Sequence, residues 1–249
     1  MKPPRDSGFT LLELVISMAV SAFLVLGLIG IASATSSSTR LQRNQAEIQE
    51  HARLAVNILS SAIRQAGFNP QPWSEDFPPL GITDDSLDGV SSVSDRLAVS
   101  GWSDLNCFGN RNPDEDPSGQ PLFYFRESVF DMNSDHGLTR RCSYGPTPDD
   151  FTVQVPRQGF IQGVDAFQVL YGQDSDQDGV VDGWVRAGHW SDPADILGIR
   201  VGLLLSSQES VAEKESRTFD VLDTTVSKSG DGKMRRVTQI TSAIKGRTD

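Results

Sequence analysis

Four aspartates in the second half of the sequence have the spacing of a calcium-binding loop. Asp174, Asp176 and Asp178 alternate along the chain, a glycine follows, and Asp182 comes next. Alternate carboxylates converge on one centre, the glycine permits a sharp turn, and the backbone carbonyl of Val180 supplies a further oxygen. The pattern predicts a Ca²⁺ site built from these five residues. The alternative is an acidic turn that joins two strands, in which the carboxylates would repel one another.

This loop does not continue as an EF-hand. Val185 occupies the position of the last, bidentate acid, and strands rather than helices are predicted on both sides. We therefore expect a shorter loop that binds calcium weakly.

The two cysteines, Cys107 and Cys142, admit a single pairing. In an oxidising compartment they are predicted to form a disulfide, which would stabilise the chain by roughly 3–4 kcal/mol if it acts through chain entropy. The alternatives are two free thiols in a reducing cytoplasm and a two-cysteine metal site, for which too few further ligands lie nearby.

A single carboxylate interrupts an apolar run near the N-terminus. Residues 9–34 contain one charged residue, Glu13, and they follow a short polar leader, residues 1–8, that ends in Gly8. As a helix this run would be about 39 Å long, whereas a bilayer core is about 30 Å thick. A carboxylate within a membrane segment costs a few kcal/mol, so Glu13 is a functional candidate by default.

This arrangement resembles the processing signal of type IV pilins and the related pseudopilins. In that superfamily a prepilin peptidase cuts after the glycine and methylates the new amino terminus. The resemblance implies cleavage between Gly8 and Phe9, N-methylation of Phe9, and pairing of Glu13 with the amine of a neighbouring subunit in a filament. The alternatives are an ordinary signal sequence cut near residues 32–34 and a plain signal anchor whose carboxylate lies near the headgroups.

One long helix is predicted to carry these N-terminal residues. No proline occurs between Phe9 and Asn69, so we expect a helix from about Phe9 to Ala66, about 87 Å long. Its first part, residues 9–34, would lie in the membrane or in the core of a filament.

The second part of this helix, residues 35–67, is predicted to be amphipathic. Apolar residues recur every three or four positions from Ile48 to Ala66, which is typical of a helix with one buried side. Residues 35–39, which precede Arg40, are all serine or threonine. Because these are weak helix formers, we expect a soft spot there, that is, a less stable part of the helix. Gly67 supplies the stop signal.

Residues 68–249 are predicted to form a β-rich periplasmic domain. We expect a long loop at 69–95 and a mobile polar excursion at 206–232, where turn-forming residues are frequent. Runs rich in Val, Ile, Phe and Tyr predict strands at 96–102, 122–130, 138–144, 151–155, 166–171, 180–187, 196–205 and 234–244. No run between them has a helical period, so the sheet should be largely antiparallel. The fold class is α+β, and the resemblance implies a type IV pilin-like fold.

Later segments of the chain resemble the PilW family of minor pilins. The resemblance is carried by segments at 50–53, 63–68, 166–172, 199–203, 235–237 and 245–247. It implies a single-pass inner-membrane protein, with its globular domain in the periplasm, that helps to prime type IV pilus assembly. Its implied partners are prepilin peptidase, other minor pilins, the major pilin, a tip-associated adhesin and the inner-membrane assembly platform.

Charge and motif content oppose two other functional classes. The formal net charge is −11, so a broad basic surface for nucleic acid is not expected. The sequence has no HExxH motif, GxSxG elbow, P-loop or Rossmann fingerprint, so we expect no enzyme. The alternatives that stay open are a type II secretion pseudopilin of the GspJ kind and a membrane-anchored periplasmic enzyme or binding domain.

Overall fold

A single long helix leads into a β-rich body. The computed structural model describes residues 10–89 and 94–244. Helix α1 spans Leu11–Gln65, with Thr10 as its N-cap. At the other end Ala66 has an extended backbone and Gly67 has a φ of 71°, so the chain leaves the helix at the predicted glycine.

Helix α1 runs through residues 35–39 without a break, as expected for one long helix, and the soft spot there stays a prediction. The hydroxyl of Thr35 donates to the Ile31 carbonyl oxygen, and the hydroxyl of Thr39 donates to the Thr35 carbonyl oxygen, both at 2.9 Å. These bonds to the preceding turn satisfy the hydroxyls within the helix, so weak intrinsic propensity does not end it.

The first sheet has four antiparallel strands in the order β1-β2-β3-β4. They are β1 Leu97–Ser103, β2 Tyr124–Met132, β3 Leu138–Thr147 and β4 Asp150–Ile161. A tight hairpin loop joins β2 to β3, with the Asn133 N–H donating to the Gly137 carbonyl oxygen at 2.9 Å.

The second sheet is also antiparallel and has the order β10-β7-β5-β6. It contains β5 Val164–Gln173, β6 Gly183–Val185, β7 Ile196–Ser210 and β10 Lys233–Ala243. A short 3-10 helix, Pro193–Asp195, precedes β7. The second half of α1 packs mainly on β7 and β10. The predicted α+β fold is confirmed, although β6 is shorter than the strand expected at 180–187.

The excursion expected at 206–232 is in fact ordered secondary structure. Strand β7 continues to Ser210, and β8 Arg217–Val221 pairs with β9 Thr224–Lys228 in a hairpin. Val221 and Val226 from this hairpin are buried against Ala166 and Leu204 on the second sheet. Each strand of the hairpin shows only one or two apolar residues among polar ones, so its alternation was too weak to recognise.

The main core lies between α1 and the two sheets. The predicted helical stripe is its helix side, since Ile48, Ala52, Ala55, Leu59 and Ala66 are buried. Its sheet side contains large buried residues of both sheets, among them Phe130, Leu138, Phe167, Tyr171, Ile199 and Leu203. The core therefore holds the distal half of α1 in place and leaves the first half without contacts of this kind.

Candidate functional site

The first half of α1 is an uncovered apolar rod. Every described residue from Thr10 to Ser38 is exposed, and these include Leu11, Phe23, Leu26 and Ile31. The helix contains a segment long and apolar enough to cross a membrane. Such a surface is unfavourable in water, so a bilayer or other protein chains must cover it.

Glu13 begins this rod and is folded back onto the helix start. Its Oε2 accepts hydrogen bonds from the Thr10 backbone N–H at 2.9 Å and from the Thr10 hydroxyl at 3.0 Å. The Glu13 N–H donates to the Thr10 hydroxyl oxygen at 3.3 Å, which completes a capping box. The carboxylate thus faces the N-terminal end of α1. The predicted processing residues Gly8 and Phe9 lie outside the described residues.

The predicted disulfide between Cys107 and Cys142 is present, with Cα atoms 5.9 Å apart. It joins the loop that follows β1 to the buried middle of β3. The Cys107 N–H also donates to the side-chain oxygen of Gln154 on β4, at 2.8 Å. These two contacts fix the loop against the first sheet.

The aspartate loop, residues 174–182, connects β5 to β6. One carboxylate oxygen each from Asp174, Asp176 and Asp182 lies within 4.8 Å of the others. Asp178 does not join this group; its Oδ1 accepts from the Val180 N–H at 2.8 Å. The structure therefore brings together three of the four predicted side-chain ligands.

Backbone N–H groups of the aspartate loop donate hydrogen bonds to Asp174. The Asp174 carboxylate accepts from the N–H groups of Asp178 at 3.2 Å and Gly179 at 2.8 Å. Gly179 has a φ of 85°, which is the turn the sequence predicted for this glycine. Asp182 Oδ2 accepts from the Ser175 N–H at 2.7 Å.

Electrostatic repulsion is concentrated on Asp176. The carboxylates of Asp178 and then Asp182 raise its pKa, with smaller effects from burial and Asp174. Oxygen donors that repel one another in this way suit a hard divalent cation, which would remove the repulsion.

A partly buried charge cluster around Asp165 was not predicted from the sequence. Arg235 donates to Asp165 at 2.6 Å and to both oxygens of Asp231, while the Lys228 ammonium lies 3.7 Å from Asp165. Its members come from β5, β9, β10 and the turn before β10, so no local spacing connects them. The contact with Arg235 lowers the pKa of Asp231, and the cluster ties the β8–β9 hairpin to the second sheet.

Comparisons with known proteins point to one family. Residues 141–245 match the profile of PilW, type IV pilus-assembly protein W, and residues 3–29 match the prokaryotic N-terminal methylation motif. The fold is similar to that of a type IV-like pilin from Thermus thermophilus, with a TM-score of 0.54 and 12% identity over 81% of this chain and 97% of that chain. At this identity the likeness supports the fold alone. No curated protein matches the chain.

Proposed function

We propose that this chain, which belongs to the type IV pilins of the PilW type, is a minor pilin that helps to prime type IV pilus assembly. Before assembly the apolar half of α1 anchors it in the inner membrane, with the β-rich body in the periplasm. Prepilin peptidase removes residues 1–8 and methylates Phe9. The protein then acts by assembly rather than by catalysis, in a tip complex with other minor pilins.

The observation that carries this proposal is the contrast between the two halves of α1. One half buries a stripe of residues in the core of the body, and the other half is exposed and largely apolar, with Glu13 as the one charged residue between Thr10 and Ser38. Because the helix is continuous, the exposed half extends directly from the half that is packed in the body. A membrane covers that surface before assembly, and the helices of neighbouring subunits replace the membrane afterwards.

Glu13 sets the position of the subunit during this exchange. A carboxylate in an apolar environment needs a partner of opposite charge. Processing creates one at the amine of Phe9, and the amine of one subunit meets the Glu13 carboxylate of its neighbour. The backward orientation of Glu13 towards the helix start is consistent with that contact.

The test replaces Glu13 by glutamine, which keeps its size and removes its charge. In Glu13→Gln the chain should still enter the membrane, and intact mass should show the loss of residues 1–8. Surface pili and recovered tip complexes should fall at least about tenfold, because a buried amine loses its partner, at a cost of a few kcal/mol. The matched control is Glu50→Gln, since Glu50 forms an exposed pair with Arg53 on the packed half of α1.

Two results would contradict this assignment. Wild-type piliation in Glu13→Gln would remove the pairing role, and a mature chain that starts at Met1 would remove the processing step. Co-purification from native membranes tests the partners. Recovery with minor pilins, the major pilin, a tip adhesin and the assembly platform is expected, whereas recovery with secretion components would assign the chain to a type II pseudopilus.

The aspartate loop is proposed as a weak calcium site in this pilin. Three converging carboxylates support it, and the missing EF-hand acid sets the expected dissociation constant on the order of 10⁻⁴ to 10⁻³ M. Ca²⁺ at ten times that constant should stabilise the folded protein by about 1.4 kcal/mol and so raise its melting temperature.

The calcium test compares two single carboxylate replacements. Asp176→Asn should abolish the rise in melting temperature, and a chelator should reverse it in the wild type. Asp149→Asn removes an exposed carboxylate on the β3–β4 turn and should leave the rise intact. If millimolar Ca²⁺ gives neither a shift in melting temperature nor a heat of binding, the loop is only an acidic connection between strands.

A further inference from the structure

A cavity of about 450 Å³ lies between the last turns of α1 and the first sheet. Ile58 and Ala62 line it from the helix, and Trp102 lines it from β1. We call it the arginine pocket, because Arg126 of β2 and Arg140 of β3 also line it. Its volume is in the range of small-ligand sites, and it is at the opposite end of α1 from Glu13.

Strand geometry brings the two arginines to one face of the sheet. Arg126, Ser128 and Phe130 alternate on β2, so their side chains share a face. In the antiparallel register Arg140 lies opposite Phe130, which places it on that same face. The face looks towards α1, since Phe130 is part of the core beneath the helix.

Neither guanidinium has a carboxylate partner among the residues that the structure describes. Arg126 donates to the side-chain oxygen of Gln65 and, at 3.4 Å, to the Leu105 carbonyl oxygen. Arg140 donates to the Ser128 hydroxyl at 3.1 Å, and its Nε is buried without a hydrogen-bond partner. Both charges are thus met by neutral acceptors only.

The electrostatic balance of the pocket is unfavourable when it holds no anion. Burial lowers the pKa of Arg126 and repulsion from Arg140 lowers it further, while the Asp104 carboxylate acts in the opposite direction. Burial also lowers the pKa of Arg140. These shifts show that the surroundings disfavour both cations.

Other arginines of the same sheet do have carboxylate partners. Arg141 pairs with Asp85 at 2.6 Å, and Arg157 pairs with Asp131 at 2.8 Å. Carboxylates are plentiful in a chain of formal net charge −11. The absence of one beside Arg126 and Arg140, within the described parts of the chain, leaves the pocket as a place where an external anion would be stabilised.

We propose that the arginine pocket binds a carboxylate group carried on a short apolar stem. A planar carboxylate matches the hydrogen-bonding fork of a guanidinium, and two guanidiniums supply more donors than one carboxylate needs. Ile58 and Ala62 offer the stem an apolar wall, and Phe108, which is 66% exposed, extends that wall to the surface. A glutamate side chain of another polypeptide and a free dicarboxylate share this chemistry.

The disulfide forms part of this pocket. Cys107 and Phe108 belong to the loop that Cys142 holds against β3, and both line the cavity. The wall that Phe108 contributes therefore depends on the link between Cys107 and Cys142.

The experiment uses the full chain in detergent micelles and three probes. N-acetylglutamate amide and glutarate carry the carboxylate, and N-acetylglutamine amide is the neutral match. Binding is followed by NMR through the Nε–Hε resonances of arginine. We expect the two acids to shift the resonances of Arg126 and Arg140, with dissociation constants on the order of 10⁻³ M, and the glutamine derivative to leave them unchanged.

Variants separate binding from a structural role. Arg126→Gln and Arg140→Gln should each weaken binding at least about tenfold, because each removes a charged pair of donors. Their melting temperatures without probe should equal or exceed that of the wild type, since an unpaired charge has been removed. Arg43→Gln, an exposed replacement on α1 with the same change of charge, should bind like the wild type.

The outcomes test the proposal and identify the source of the carboxylate. Tighter binding of the glutamate derivative than of glutarate assigns the carboxylate to a polypeptide, and the reverse order assigns it to a free dicarboxylate. The proposal is overturned if glutamate and glutamine derivatives shift the wild-type resonances equally. It is also overturned if both arginine variants keep wild-type affinity, or if both lose stability without probe.

Discussion

Asp95 is a buried carboxylate that ties the loop before β1 to the middle of β5. Its Oδ2 accepts from the Val169 N–H at 2.7 Å, and its Oδ1 accepts from the Gly89 N–H at 3.0 Å. Burial raises its pKa to about 6, although these two bonds and Arg186 act in the opposite direction and Asp88 adds to the rise.

This pKa predicts how stability changes with pH. The value in the folded state lies above that of an unfolded aspartate, about 3.9, so the folded protein binds an extra proton between about pH 4 and pH 6. The contribution of Asp95 is therefore fully present below pH 4 and decreases as pH rises through 6, by about 3 kcal/mol in total. Asp95→Asn does not titrate and should lack this decrease.

Urea unfolding from pH 4 to pH 7 measures the effect on a fragment of residues 40–249. The difference between the free energies of unfolding of wild type and Asp95→Asn should change across that window. Asp149→Asn serves as the control, because its carboxylate is exposed. A constant difference between wild type and Asp95→Asn would show that Asp95 keeps an ordinary pKa.

Single residues could be predicted from the sequence where their role is local. Gly67 ends α1 and Gly179 turns the aspartate loop, each with a positive φ that glycine adopts without strain. Arg126 and Arg140 could not be found in this way. They form a candidate site because they share one face of the sheet and because their hydrogen bonds go to neutral acceptors, and neither fact follows from sequence spacing.

At the scale of elements, the packing of α1 on the body depends on a narrow stripe of buried apolar residues. Leu59 is fully buried in the main core, whereas Leu54, one and a half turns earlier, is 38% exposed. Leu59→Ala should lower the free energy of unfolding by about 2–5 kcal/mol, since it removes buried methyl groups and leaves a cavity. Leu54→Ala should cost less than about 1 kcal/mol.

Urea unfolding of the same fragment, with both variants side by side, tests this difference. The slope of free energy against urea should be similar in the two variants if the helix keeps its packing. Equal losses at Leu54 and Leu59 would mean that α1 does not pack on β7 and β10 through the stripe described here.

The elements also show which patterns a sequence reveals. The stripe of α1 and most strands of the two sheets were predictable, because each buries an apolar face with a regular period. The β8–β9 hairpin was not, because its strands expose most of their side chains and bury mainly Val221 and Val226. The predicted helix also continues through residues 35–39, where hydroxyl bonds to the preceding turn compensate a weak propensity.

At the scale of the whole molecule, the structure divides between residues 38 and 44. The described residues before Thr39 are exposed, and Asn44 is the first buried residue of α1. The body therefore owes none of its described core to the apolar rod. The same division separates a surface that needs a membrane or other subunits from an acidic body that is compatible with water.

Two truncations test this division. A fragment that starts at Arg40 keeps Ile48, Ala52 and Ala55 in the core, and it should be soluble without detergent. Its melting temperature should lie within a few degrees of that of the full chain in micelles. A fragment that starts at Asn57 lacks those three buried side chains and should be destabilised by at least about 3 kcal/mol, because it uncovers the apolar surface that they pack on.

Circular dichroism and size-exclusion chromatography distinguish the outcomes of these truncations. A folded monomer from residue 40, together with an aggregated or unfolded chain from residue 57, would place the boundary of the folding unit within α1. If the fragment from residue 40 also fails to fold, the apolar rod must contribute to the stability of the body. If the fragment from residue 57 folds equally well, the stripe from Ile48 to Ala55 contributes little, and the body would not hold the rod as a rigid extension of its core.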